Sequence, residues 1–385
     1  MIPFIKFIDK HVGNLMCNFL AIFNKDKSKK NIKMGYNKIL IVQLWGIGET
    51  ILTLPAIETL KKKFPNAEID VLATSRNKNV FFGNKNISRI AAIKLNPFST
   101  LNFILKNIKK YDWIIDMEEY LNVSAIISFF AGRRIVGYSH NSRAKLYTDK
   151  VKYNDKQHAV QTFLDLVRVL DASYDTDRLP KLNFSKSDKK IVDKFLKNNN
   201  VKNNEFVVCI APGAAESAKS RMWPYERYTE LCEELIDRHN AKIIFVGTLN
   251  ESELVESIQK NIKSENNTIS NTINSAGKIS LNQLFYLISK SKMFIGNDAG
   301  PIHIAAAQGV KTIGLFGPNI PARFGPYGKG NIGLYKGYNC EFSPCINVHK
   351  GEVPDCLYPR ESNDYQKCMK NISVDDVLKE VEKLV

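Results

Sequence analysis

The residues best suited to chemistry lie in four short segments, each following an apolar run. In residues 294–318 the run ends at Gly296, and Asn297, Asp298, Ala299, Gly300, Pro301, Ile302 and His303 follow. Pro301 fits the first position of a helix, where its missing N–H costs nothing. Gly300 lets a ligand come close to the backbone. The N–H groups of Ile302 and His303 then open toward a phosphate or pyrophosphate. The Asp298 carboxylate can accept hydrogen bonds from sugar hydroxyls. An ordinary capped helix, with Asp298 as a turn residue and His303 at the surface, has the same spacing. A second segment, 211–228, has a turn at Pro212-Gly213 and small residues with Ser217 that leave backbone donors accessible. Lys219 or Arg221 there can reach a phosphate as a point charge or a fork. In a third, 245–253, Glu251 is placed to meet a ribose hydroxyl. The fourth, Gly46-Ile47-Gly48-Glu49, looks at first like a dinucleotide loop. But Ile51 stands where the third glycine of G-x-G-x-x-G belongs, and Glu49 puts a negative charge where a phosphate would sit. That disfavours a nicotinamide-dependent oxidoreductase.

Cys340, Cys345, Cys356 and Cys368 crowd the tail, whereas Cys17, Cys209 and Cys232 are isolated among apolar residues. Four thiolates suit a structural zinc or iron. No C-x-x-C pair is present, and reduced thiols in a loop-rich segment are the alternative.

The elements that must position these segments alternate between strand and helix. Strands are expected near 38–44, 68–73, 112–116 and 134–138, then near 206–211, 242–247, 292–296 and 311–316. Helical patterns fall near 50–63, 121–131 and 157–171, then near 224–238, 250–263, 281–290 and 301–309, with a partly helical polar stretch at 183–204. Pro55 should kink or delay its helix, since it donates no N–H. Ser280 with Gln283 reads as a capping box, and Ser373 as the cap of a last helix. Such alternation implies an α/β protein of two Rossmann-like, doubly wound parallel-sheet domains with a cleft between them. The expected divisions are an N-terminal extension over 1–35, a first domain over 36–195, and a second over 196–385 with the cysteine tail and terminal helix. Ligands of such sheets bind at the carboxyl ends of strands, where the four segments fall.

At 385 residues the chain suits two domains. Its net charge of +16 suits an anionic partner. The thinly spread lysines lack the arginine and aromatic pattern of a nucleic-acid module. No run approaches the roughly 20 apolar residues that span a bilayer. In the first 23 residues, Ile2, Phe4, Ile5, Ile8, Val12, Leu15, Met16, Phe19, Leu20 and Phe23 recur at helical spacing, and lysines 25, 27, 29, 30 and 33 follow. This reads either as an interfacial amphipathic helix with a basic flank or as a helix packed on the body or on another subunit. It has neither the continuous apolar core nor the cleavage site of a signal peptide.

The residues together resemble glycosyltransferase family 9, the ADP-heptose:lipopolysaccharide heptosyltransferases. The run from Asp298 through Gly300 and His303 to Ala305-Ala306, then Gly314-Leu315-Phe316-Gly317-Pro318, is similar to the family's D-[TS]-G-x-x-H-x-A-A and F-G-P motifs. Gly48-Glu49 with Thr53 and Pro55 is similar to its G-D and T-x-P pattern. Residues 111–125, Y-D-W-I-I-D-M-E-E-Y-L-N-V-S-A, resemble its Y-D-x-x-I-D-x-Q-G stretch, and His158 opens a helix as a family histidine does. The likeness runs from about Lys38 to the end. It implies a GT-B fold, with the acceptor held mainly by the first domain and the nucleotide-sugar by the second, and a terminal helix that often crosses back to the first domain. It also implies an inverting, metal-independent enzyme that moves a sugar from a nucleotide-sugar to a lipopolysaccharide-core or related cell-envelope glycan, with heptose from ADP-heptose as the expected donor. Glu49 becomes the candidate general base. Ser217, Lys219, Glu251, Asp298, Ala299, Gly300, Ile302 and His303 become the donor site, and Gly48, Glu118, Glu119 and Asn122 the acceptor side. No cofactor is required, apart from the zinc or iron the cysteines suggest. The expected location is cytoplasmic, at the inner face of the membrane. Three departures stand out. Glu49 replaces Asp, Ala299 replaces Thr or Ser, and Glu118, Glu119 and Asn122 replace Gln, Gly and often Lys. They keep open another nucleotide-sugar, a protein acceptor, or a non-catalytic nucleotide-sugar binder.

Overall fold

The computed structural model describes residues 7–24, 35–173, 176–263 and 271–385, without the side chains of Glu216 and Ser217. The chain divides into two units, Met1–Thr176 with Val348–Gly351, and Asp177–Asn347 with Glu352–Val385.

In the first unit, short runs that are buried in the central strands and more exposed at the edges form a parallel sheet, as expected of central strands covered on both faces. Its strands are β1 (Lys38–Val42), β2 (Glu68–Thr74), β3 (Arg89–Ile93), β4 (Tyr111–Asp116), β5 (Gly132–Tyr138) and β6 (Asp149–Val151), in the order β3-β2-β1-β4-β5-β6. Pairing is parallel throughout, with Val42 level with Leu72 and Asp116. The N-terminal helix is π-wound over Asp9–Gly13, α-helical over Asn14–Ala21 (α1), and ends in the 3-10 turn Ile22–Asn24. α2 (Ile47–Lys63), α3 (Pro97–Lys106), α4 (Asn122–Ala131) and α5 (Ala159–Arg168) follow. α2 packs with α5, while α1 and α3 both pack on α4. One core joins Cys17 of α1, Phe103 and Ile104 of α3 and Ala125 to Ile127 of α4 to Leu40, Val42, Leu72 and Ile114 of the sheet.

α2 starts at Ile47 and runs through Pro55, which therefore neither delays nor ends it. Residues Thr50 to Ile57 are all buried, so packing on several sides outweighs the lost backbone bond. The N-terminal helix packs on the body, one of its two expected placements. The part of the expected helix formed by Ile2, Phe4 and Ile5, and the lysines from 25 to 33, lie outside the described residues.

The second unit opens with α6 (Lys186–Asn198) and continues as β7 (Val207–Ala211), α7 (Tyr225–His239), β8 (Lys242–Phe245), α8 (Ser252–Asn261), β9 (Thr272–Asn274) and α9 (Leu281–Ser289). It ends with β10 (Met293–Asn297), α10 (Gly300–Gln308), β11 (Lys311–Phe316), α11 (Pro321–Phe324), β12 (Ile332–Tyr335), α12 (Lys367–Lys370) and α13 (Val374–Glu382). Its parallel sheet has the order β12-β11-β10-β7-β8-β9, which read from the other edge repeats the order of the first. In each sheet the strand order reverses at one point, between β1 and β4 and between β7 and β10. Ligand crevices in doubly wound sheets open there, past the strands' carboxyl ends.

Two expectations need correction. The division falls at Thr176/Asp177 rather than at 195/196, because α6 packs on α9 of the second unit. The terminal helix α13 stays in that unit, packed on α7 and β11. Its Val374, Val377, Leu378 and Val381 join the core built on Val208, Ile210 and Ile313.

Candidate active site

In the first unit the loop after β1 carries Glu49 into the first turn of α2. A carboxylate there is favoured by the positive end of the helix. Gly46 makes this placement possible. Its φ is +54°, and a Cβ on it would lie 1.8 Å from Glu49 Oε2. Only glycine takes that backbone conformation without strain and leaves room for the carboxylate. Glu49 is half-buried and Gly48 buried.

Side chains from neighbouring strand ends hold the loop from below. Glu118 Oε1 accepts from Leu44 N at 2.5 Å, from Trp45 N at 2.8 Å and from Gln43 Nε2 at 3.3 Å. Asn77 Nδ2 donates to the Gln43 carbonyl at 2.8 Å and to Thr50 Oγ1 at 2.9 Å. Thr50 Oγ1 donates to the Gly46 carbonyl at 2.5 Å. Burial pushes the Glu118 carboxyl up to about 8; nearby Asp116 adds to this, while the Leu44 N–H and Arg143 oppose it. Near neutrality Glu118 therefore keeps its proton and resembles glutamine, the residue of the family pattern it departs from. Beneath it lies a fully buried ion pair, Arg143 Nη2 to Asp116 Oδ2 at 2.9 Å. Tyr147 OH donates to the same oxygen at 2.7 Å, and Glu118 N donates to Asp116 Oδ1 at 3.2 Å. A buried pair held this way fixes geometry more than it adds stability, and Arg143 Nη1 has no partner among the described residues.

Three residues expected on the acceptor side turn inward instead. Glu118 brackets the loop. Glu119 is buried and accepts from Tyr153 OH at 2.5 Å. Its carbonyl lies 2.6 Å from His140 Nε2, and burial lowers the His140 pKa to about 4. Asn122 starts α4 and donates to Asp9 through both its backbone N, at 2.8 Å, and its side-chain Nδ2, at 2.9 Å. These bonds leave Gly48 and Glu49 as the expected residues at the loop itself.

In the second unit the expected donor residues gather past β7, β8 and β10. Asp298 is buried. Its Oδ2 lies 3.3 Å from Arg221 Nη1 and accepts from Asn319 Nδ2 at 3.1 Å. Arg221 Nη1 also donates to the Asp298 carbonyl at 3.1 Å, so Arg221 is committed to Asp298, while its buried Nε has no partner among the described residues. Lys219 is exposed, and its carbonyl accepts from Gln366 Nε2 at 2.6 Å. α10 begins at Gly300, and no side chain caps its start at Ala299. The Ile302 N–H is not open as expected, since it donates to the Ala299 carbonyl at 3.2 Å. His303 is buried rather than at the surface. Glu251 closes a capping box, with Oε2 accepting from Thr248 N at 2.5 Å and Thr248 Oγ1 at 2.8 Å. Its Oε1 lies where a Cβ on Gly213 would come within 2.0 Å, so glycine at 213 lets the β7 and β8 loops touch.

Asn297 went unread in the sequence, although it organises this region. It accepts from Trp223 N and Tyr228 OH, both at 3.0 Å, and donates to the carbonyls of Pro212 and Gly213. An asparagine ending an apolar strand was the only signal, and it is shared by many turns.

The four tail cysteines lie close enough to influence one another, since Cys340, Cys345 and Cys356 all raise the Cys368 thiol. Among the described residues no group of three or more His, Cys, Asp or Glu side chains is arranged to hold a metal ion. Cys340 and Cys368 are buried in the core beside Trp223 and Met369. Burial first, then the neighbouring cysteines, pushes the Cys368 thiol up to about 12.

Residues 105–350 match glycosyltransferase family 9 (heptosyltransferase). The chain belongs to glycosyltransferase family 9. This glycosyltransferase is 28% identical over 297 residues to lipooligosaccharide heptosyltransferase 2 of Haemophilus influenzae, covering 74% of this chain and 84% of that one. Among solved structures it resembles a family 9 glycosyl transferase from Veillonella parvula, with a TM-score of 0.75 and 20% identity over 92% of this chain and 98% of that one. It also resembles the ADP-heptose LPS heptosyltransferase II of E. coli, with a TM-score of 0.69 and 20% identity over 90% and 98% of the two chains. The fold is accordingly GT-B, and the enzyme is a heptosyltransferase-like glycosyltransferase.

Proposed function

We propose that this glycosyltransferase is an inverting enzyme that moves heptose from ADP-heptose to a lipopolysaccharide-core or related cell-envelope glycan, with Glu49 as general base. The observation that carries this reading is the half-buried Glu49 carboxylate on a loop braced by Glu118 and Asn77. The names of the relatives support the sugar and the acceptor class. An acceptor hydroxyl attacks the anomeric carbon, and its proton passes to Glu49. The bond from that carbon to the β-phosphate oxygen breaks, and its electron pair leaves with ADP. A positioned base supplies roughly 10²–10⁴ in rate, and stabilising the charge that leaves often contributes more. Lys219 and the uncapped start of α10 are suited to that second role, so no step is routed through a metal. Asp298, held by Arg221, is suited to the sugar hydroxyls, with Glu251 at the ribose. The backbone at Ala299, Gly300, Ile302 and His303 borders the phosphates, and Gly48 borders the acceptor. Glu118, Glu119 and Asn122 act by position. We place the enzyme in the cytoplasm, at the inner face of the membrane.

Ala299, which lacks the hydroxyl of the family pattern, favours a second reading, a different nucleotide-sugar. Acceptor-dependent release of nucleotide, measured with purified protein, a core glycolipid and a panel of nucleotide-sugars, separates the two. ADP release from ADP-heptose only when glycolipid is present is the expected result. Release from a different nucleotide-sugar alone selects the second reading, and no release from any donor contradicts both.

A further inference from the structure

The N-terminal helix turns Cys17 and Leu20 to the core and is fastened to the body by polar side chains, yet most of its large apolar side chains face outward, unlike a helix on a water-facing surface. Asp9 bonds the start of α4, with Oδ2 accepting from Asn122 N and Oδ1 from Val123 N, both at 2.8 Å. Asn18 accepts from Lys145 Nζ at 2.7 Å, and Asn24 donates to the Lys145 carbonyl at 2.8 Å. The outer face is left to Phe7, Val12, Leu15, Phe19, Ile22 and Phe23, all exposed, with Leu15 at 70%.

A second element repeats the pattern. α3 buries Phe103 and Ile104 but exposes Phe98, Leu101, Leu105 and, just past its end, Ile108, with Phe98 at 87%. The two helices lie on the same face of the first unit's sheet, since both contribute to one core and both pack on α4. Large apolar side chains exposed in such number on two helices packed against the same neighbour are more than scattered single residues, and mark a docking face.

Charge selects the occupant. Between Asp70 and Asp112 the sequence has no acidic residue and eight basic ones, and Lys10, Lys94 and Lys106 are exposed. Lysines 25, 27, 29, 30 and 33 continue the chain after the helix. A second copy docked symmetrically through this face would set like charges against each other. An anionic bilayer offers hydrocarbon to the apolar residues and headgroups to the lysines.

We infer that the N-terminal helix and α3 together form a surface that inserts shallowly into an anionic lipid bilayer. Asp9 clasps this surface to α4, directly after the Glu118 segment that braces the Glu49 loop. The inference deepens the membrane location proposed above. Vesicle binding reads no sugar transfer, so either statement can fail without the other.

The test is flotation of the full chain with vesicles of phosphatidylglycerol mixed with phosphatidylcholine, against pure phosphatidylcholine. Binding to the anionic vesicles is expected, and the double variants Leu15→Glu/Phe19→Glu and Phe98→Glu/Leu105→Glu should each lower it about tenfold or more, with unchanged circular dichroism. In a Leu15→Trp variant the added emission should shift to the blue when anionic vesicles are added. Failure of the unaltered protein to float, variants that bind equally well, or unshifted tryptophan emission each overturn the inference. So does a dimer split by Phe98→Glu/Leu105→Glu with vesicle binding intact, which would assign the face to a second copy.

Discussion

Glu118 shows how a side chain's direction can change its meaning. The sequence marks it as an extra acid on the acceptor side, whereas the structure turns it inward, onto the backbone N–H groups of Leu44 and Trp45. Its carboxyl is raised from 4.5 to about 8. A group that holds its proton more tightly when folded stabilises the native state fully below its unfolded pKa, and that contribution is lost as pH rises through the folded value. The window here runs from about 4.5 to about 8. Glu118→Gln keeps the accepting oxygen and removes the titration. Its melting temperature relative to the unaltered protein should therefore rise across that window and then level off. A difference that stays constant with pH would mean that Glu118 is already charged in the folded enzyme. Glu49, Asp298 and Lys219 stood out as candidates because glycine and proline punctuate their loops. The braces, Asn77, Asn297 and Glu118, were not, since a sequence does not say which strand-end polar groups face the backbone.

Elements that are apolar and buried nearly throughout, or that have a strong boundary, were easy to read, among them β1, β10, α10 and the Ser280 and Ser373 caps. The edge strands β3, β6, β9 and β12 were missed because they are short and less completely buried than central ones. α3 was missed because apolar residues on both of its faces blur the helical period. The clasp at α4 was also invisible, because helix caps are sought next to the helix in sequence. Leu121 supplies no side-chain cap to α4, and Asp9 caps it from 113 positions away. Asp9→Ala should cost about 0.5–2 kcal/mol, the range for a lost cap, measured by urea unfolding. No loss would mean that the start of α4 is satisfied without Asp9.

At the scale of the whole molecule, two sheets of the same strand order carry two kinds of loop. The first unit presents a carboxylate, and the second a buried acid held by arginine, an exposed lysine and an uncapped helix start. Two α/β domains were readable from the alternation of strands and helices, and the family from the run at Asp298 to Ala306. The boundary was not, because the polar helix α6 belongs by packing to the unit that follows it. The central claim is that the proton is taken by the first unit while the nucleotide-sugar is bound by the second. Glu49→Gln tests it most directly, with turnover and calorimetric affinity for ADP-heptose measured on the same preparation. The predicted result is a loss of turnover of roughly 10²-fold or more with donor affinity unchanged. Turnover equal to that of the unaltered enzyme would contradict the claim.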